Sequence, residues 1–166
     1  MAKGRFINRG LVLAISIIIP IFSIGLVWGE EECLKEAWTA YNKEDYKNAM
    51  KSSEKCIDEF GKQAERKQAQ LEAEKIPAPP TGKVNDAEKN QIFERGLLND
   101  VAAAYFIKGK SAESLYKMDR TKNAAYKEIA TKAYESACKL KYGRTWDPKG
   151  WFWSPCEASS DRLPID

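Results

Sequence analysis

From residue 31 onward, apolar positions recur at helical spacing, and strand-like alternation is absent. A first helix is expected over 31–42, followed by the polar turn Lys43-Glu44-Asp45. Asp45 is a suitable N-cap for a second helix. The positions Tyr46, Ala49, Met50, Ser53, Cys56, Ile57, Phe60 and Ala64 advance by steps of 3, 1, 3, 3, 1, 3 and 4, which is one face of an α-helix. Past Gly61 the stripe thins into a helix-prone, solvated stretch with Ala64, Ala69 and Leu71 left to pack. Ile76-Pro77-Ala78-Pro79-Pro80-Thr81-Gly82 breaks the helix and reads as a linker. A third helix is expected over 86–116, burying Leu98, Val101, Ala102, Tyr105, Gly109, Ala112 and Tyr116. After a turn over 117–121, a fourth is expected over 122–141, with Tyr126, Ile129, Ala130, Ala133, Tyr134 and Ala137 inward. The remaining tail reads as irregular and aromatic.

The start of the chain follows different rules. Lys3, Arg5 and Arg9 precede the uncharged run LVLAISIIIPIFSIGLVW at 11–28, and Glu30, Glu31 and Glu32 follow it. Basic, then apolar, then acidic is the layout of an export signal. Gly29 and Gly25 each offer a small residue at a cleavage position. Eighteen apolar residues as a helix also span about 27 Å, enough to cross a bilayer. Residues 1–29 therefore read either as a cleaved signal peptide or as a retained anchor through residues 11–28. Both place the rest of the chain outside the cytoplasm, in a periplasmic or equivalent compartment, secreted or membrane-anchored. The three basic residues of this segment account for the whole net charge of +3. The body is then charge-balanced, with no basic stripe for nucleic acid.

The expected fold class is all-α: two helical hairpins over 30–75 and 86–143, joined by the Pro-rich linker 76–85. An aromatic cap over 144–166 closes the body, and the N-terminal apolar helix precedes it. Small residues at Ala37, Ala49, Ala102, Gly109, Ala130 and Ala133 allow close helix approach, as in the paired helices of an α-solenoid.

Around the first turn, Trp38, Tyr41, Asp45, Tyr46 and Ala49 resemble a tetratricopeptide repeat: an aromatic and a small residue on helix A, an Asp-Tyr turn, then Ala. Gly109, Tyr126 and Ala130 repeat the pattern more weakly in the second hairpin. The hairpins lie about 80 residues apart, not the 34 of a tandem array, and no proline closes either repeat. The segment LNDVAAAYFIKG at 98–109 and the tail WDPKGWFWSP at 146–155 also resemble a group of exported bacterial tetratricopeptide-like proteins. Some of that group carry glucanase-like names, for which these residues offer no catalytic basis. The resemblance implies a helical protein-interaction module. It places Thr39, Asn42, Asn99, Ala103, Phe106 and Lys110 on a concave binding face.

The chain has no histidine. That removes His-based acid–base and triad mechanisms and His-ligated metals or haem. No Gly-rich phosphate loop appears, and the abundant carboxylates sit at helix-surface spacing. No cofactor and no metal is expected, and the chain does not read as an enzyme.

Cys33, Cys56, Cys138 and Cys156 show neither C-x-x-C nor zinc-knuckle spacing, and in an exported chain they read as disulfides, with free buried cysteines the second reading. Cys33 lies eleven residues before Glu44 and Cys56 twelve after it, so the two sit at nearly equal height on neighbouring antiparallel helices. Cys138 and Cys156 would pair if the tail folds back.

Trp146, Trp151, Phe152 and Trp153 carry the strongest local bias. They read as a buried lid over the end of the helix stack, or as an exposed platform on which a partner protein or a sugar ring could stack. The expected function is non-catalytic protein–protein interaction, as an adaptor, assembly factor or accessory subunit of a larger extracytoplasmic complex. A carbohydrate- or cell-wall-binding role through the tail tryptophans is the alternative, and a hydrolase the third.

Overall fold

The computed structural model describes residues 30–166. The apolar segment over 11–28 lies outside the described residues. Six helices dominate the described chain: α1 (Glu30–Asn42), α2 (Tyr46–Ala73), α3 (Asp86–Phe93), α4 (Gly96–Met118), α5 (Ala124–Lys139) and α6 (Pro155–Ser160). A two-stranded antiparallel hairpin, β1 (Thr145–Asp147) and β2 (Trp151–Trp153), precedes α6. None of the described helices is long and apolar enough to cross a membrane.

The ends of α1 and α2 share one device. Asp45 N–H reaches Ala40 O at 3.0 Å and Glu44 N–H reaches Tyr41 O at 2.9 Å, which closes α1 with Glu44 at φ 60°. At the end of α2, Ile76 N–H donates to Leu71 O and Lys75 N–H to Glu72 O, with Lys75 at φ 55°. Ile76 also packs in the cluster that holds Leu71, the apolar contact that accompanies this cap. Asp45 then starts α2, its carboxylate accepting from Asn48 N–H.

Helix α4 is the centre. It packs against α1, α2, α5 and α6. Leu98, Val101, Ala102, Ala103, Ala104, Phe106, Ile107 and Ala112 are all buried on it. A helix buried over most of its circumference is one that neighbours cover on most sides. Small side chains let its neighbours close in: Ala104 meets the Cys33–Cys56 pair, and Ala37 and Ala49 meet Ile107. Gly109 faces the Tyr134 ring of α5, where an added Cβ would lie only 2.5 Å from a ring carbon.

Three sequence expectations change. The helix foreseen over 86–116 is two, broken at Glu94 and Arg95. The tail is ordered into a hairpin and a short helix. The second half of α2 is not a solvated extension, because Ala64, Gln68 and Leu71 are buried, while Ala69 is exposed. Gln68 Oε1 accepts Tyr142 N–H at 3.1 Å, and Tyr142 OH donates to Ile76 O at 2.5 Å. A buried amide with a main-chain partner is stable there.

Cys33 and Cys56 form a disulfide with Cα atoms 5.6 Å apart, as their equal height on the hairpin predicts. Cys138 and Cys156 are both free thiols, so the second expected disulfide is not formed in this structure.

Candidate functional site

The tail hairpin is built by its turn. Asp147 Oδ1 accepts Lys149 N–H at 2.8 Å, Gly150 N–H donates to Asp147 O at 2.8 Å, and Gly150 takes φ 94°. A type I turn closed by a left-handed glycine is the standard three-residue hairpin loop. In the resulting register Trp146 opposes Phe152, and Asp147 opposes Trp151. Directly opposed residues share a face and successive residues alternate. Trp146 and Phe152 therefore stand on one face, and Trp151 and Trp153 on the other.

Each face meets a different helix. Phe152 is fully buried, with Trp146 at 4.9 Å and Phe93 of α3 at 5.5 Å between ring centroids. Trp153 is half-buried against Phe106 of α4 at 5.0 Å. Trp146 and Trp151 remain 40% and 38% exposed, against the expectation of buried indoles. Two exposed rings on opposite faces do not make one flat platform.

Phe93, 50% exposed, and Trp146 form one wall of a cleft of about 570 Å³. Leu34 and Trp38 of α1, with Gly96, Asn99 and Asp100 of α4, complete it, and Arg144, Thr145 and Phe152 lie at its base. Lys89 Nζ sits 4.9 Å from the Trp146 ring centroid and 5.7 Å from that of Phe93, a cation held over both π faces.

The cleft exists because α3 stops at Phe93. Asn85 and Glu88 start α3 with reciprocal side-chain caps. At its other end Asn99 Nδ2 donates to Ile92 O at 2.7 Å, and Asn99 Oδ1 accepts Arg144 N–H at 2.9 Å. One buried amide thus joins the helix break to the entry of the hairpin. The Arg144 guanidinium then donates to the carbonyls of Lys141 and Gly143, at 2.9 and 2.7 Å, and to Pro79 and Pro80 across the linker. Gly82 pairs with Phe152 on the free side of β2, so the linker is docked against the hairpin. Burial pushes the Arg144 guanidinium below its ordinary value, opposed by the Glu157 charge.

Two of the polar side chains that line the cleft are committed to the fold. Asn99 and Arg144 spend their hydrogen bonds inside the protein. Thr145 Oγ1 is buried with no hydrogen-bond partner among the described residues. Those residues contain no group of three side chains placed to hold a metal ion.

The six residues expected on a concave face do not form one. Asn99 lines the cleft. Ala103 and Phe106 are buried inside the helix packing. Thr39 and Asn42 are exposed on α1, and Lys110 Nζ stands 4.7 Å over the Tyr41 ring. Sequence reasoning passed over Phe93 as a site residue and read Trp38 only as a repeat position, yet both line the cleft, and Lys89 stands over the Phe93 and Trp146 rings. No local sequence signal marks Phe93, because the helix break that exposes it is not legible in the chain.

A second polar centre lies under the tail. Glu113 of α4 is buried and accepts from Tyr134 OH at 2.5 Å, Lys117 Nζ at 2.5 Å and Arg162 Nη1 at 2.9 Å. Burial acts to raise the Glu113 carboxyl, but the three donors outweigh it and hold it below the ordinary carboxylate value. Burial and the neighbouring carboxylate push the Tyr134 phenol well up. All of these groups satisfy one another, so the centre is structural.

No protein-family model, curated protein or solved structure matches the chain.

Proposed function

We propose that the protein is a non-catalytic, extracytoplasmic binding module, and that its binding face is the aromatic cleft between α1, α3, α4 and the tail hairpin. In this reading the hairpins α1–α2 and α4–α5 are tetratricopeptide-like units, and the partner is a subunit of a larger complex. The observation that carries it is the convergence of Trp38, Phe93 and Trp146 on one cleft whose buried Asn99 and Arg144 side chains are already bonded within the protein. Apolar surface is left to contact a ligand, and few polar groups are left to do chemistry or to satisfy many hydroxyls. That favours an apolar or aromatic side chain presented by a partner protein. The Cys33–Cys56 disulfide supports an oxidising compartment.

The test is site-specific photo-crosslinking from Lys89 and Trp38 in native membranes and envelope fractions. The same adduct should form from both positions. It should disappear in the Phe93→Ala, Trp146→Ala double variant and persist in Trp151→Ala, which alters the opposite hairpin face. An adduct lost with Trp151→Ala and kept in the double variant would overturn the assignment.

The second reading, carbohydrate binding, rests on the exposure of Trp146 and Trp151. It predicts quenching or enhancement of indole fluorescence by soluble glycan fragments, lost with Trp146→Ala or Trp151→Ala. Because the two rings face opposite ways, each would have to act alone.

A further inference from the structure

Cys138 occupies the last turn of α5, and Cys156 is the second residue of α6. Cys138 Sγ lies 3.1 Å from the main-chain oxygen of Cys156, and Cys156 Sγ lies 3.7 Å from that of Cys138. Each thiol rests against the backbone of the other residue, so the two side chains cross in the gap between the helices. Ser160 Oγ stands 3.2 Å from Cys138 Sγ. Both cysteines are half-buried, within reach of a small oxidant. Both belong to the tail closure, which is separate from the cleft.

We infer that Cys138 and Cys156 are an oxidation site, which a disulfide-bearing oxidant converts into a second intramolecular disulfide tying α6 to α5. The sulfur of one cysteine attacks the oxidant's disulfide, forms a mixed disulfide and releases one thiolate. The sulfur of the other then attacks the protein-side sulfur of that mixed disulfide, forms the Cys138–Cys156 bond and releases the second thiolate. Two protein thiols lose two protons and two electrons, and the oxidant is reduced to two thiols. Burial first, then the hydrogen bond to Cys138, push the Cys156 thiol up to about 12. The closed bond spans a separation of 18 residues and contains β1 and β2. It fixes the hairpin's exit next to α5, where only packing and hydrogen bonds hold it in the dithiol form.

The full chain, reduced and then placed in oxidised glutathione, tests this by alkylation and non-reducing peptide mapping. The expected result is the loss of all four alkylatable thiols, two into the re-formed Cys33–Cys56 bond and two into a linked Cys138–Cys156 peptide, and their return on reduction. The Cys156→Ser chain should stop at one glutathione on Cys138. Cys138 and Cys156 both remaining alkylatable while Cys33–Cys56 is intact would overturn the proposal. So would two separate glutathione adducts that never resolve into a link.

Discussion

Gly109 and Tyr134 are in steric contact across the α4–α5 crossing: a Cβ on Gly109 would meet ring carbons at 2.5 and 2.6 Å. The ring cannot swing clear, because it is fully buried and its hydroxyl is bonded to Glu113. Two effects compete in Gly109→Ala. Helix propensity favours alanine by about 1 kcal/mol. Overpacking a core costs about 1–3 kcal/mol. The contact is well inside van der Waals range, so the steric cost sits toward its upper end, and a net loss of up to about 2 kcal/mol is expected in urea unfolding. The loss should shrink in a Tyr134→Leu background. A Gly109→Ala chain more stable than the parent would show that the helices can separate.

Glu113 makes stability depend on acid. Its folded pKa lies below the unfolded value of about 4.3, so its contribution is complete above that pH. It is lost as pH falls through the folded value. Glu113→Gln is expected to weaken the protein at pH 7 and to flatten its acid limb below about pH 4. Denaturant midpoints for both chains at pH 7 and pH 3 give the comparison. Parallel losses in the two chains would mean that Glu113 is not the group responsible.

Arg144 clamps the linker from a buried position. Hydrogen bonds from a charged donor contribute about 1.5–3 kcal/mol each, and here several depend on one side chain. Arg144→Ala is expected to cost about 3 kcal/mol and to make the linker over 76–85 sensitive to protease. Arg144→Lys should rescue little, since an ammonium cannot fork to carbonyls on two segments. A change under about 0.5 kcal/mol for Arg144→Ala would remove the clamp from the account.

The Cys33–Cys56 disulfide closes a loop of sequence separation 23. The chain-entropy model gives about 3 kcal/mol for that length. Cys33→Ala with Cys56→Ala should lower unfolding stability by that order, and reductant should lower the parent chain toward the variant. A reductant-insensitive parent would contradict a bond that contributes to stability.

Helices α1 and α2 were legible because a single apolar stripe, a capping aspartate and a short turn all agreed. The disulfide followed from helix geometry alone. The break at Glu94 and Arg95 was not legible, since no proline marks it and helix-forming residues run through it. It is fixed by the Asn99 amide, which caps Ile92 and takes the Arg144 N–H from 45 residues away. The strands were hidden for a different reason. Three residues hold too few alternations to register, and Trp151-Phe152-Trp153 is aromatic in both phases. Asn99, Ala103 and Phe106 were assigned to an open face because the tetratricopeptide resemblance implies a concave side lined by helix-A residues. A helix enclosed by four others leaves little such face. The cleft depends on segments far apart in sequence, and its aromatic residues carry no shared spacing.

The clamp on the linker also sets an order of events. Pro79 and Asn99 precede Arg144 by 65 and 45 residues. At synthesis rates of about 5–20 residues per second, the middle of the molecule waits several seconds for its last partner. Threading through a membrane from the N-terminus would impose the same sequence. Until residue 144 arrives, the Asn99 oxygen, the Pro79 carbonyl and the face of α4 that meets Gly143 have nothing to close them. Assembly therefore finishes at the tail, and a C-terminal deletion is felt first at the centre of the protein: hydrogen exchange in a chain ending at Gly143 should rise at Ile92 and Asn99 before it rises in α1.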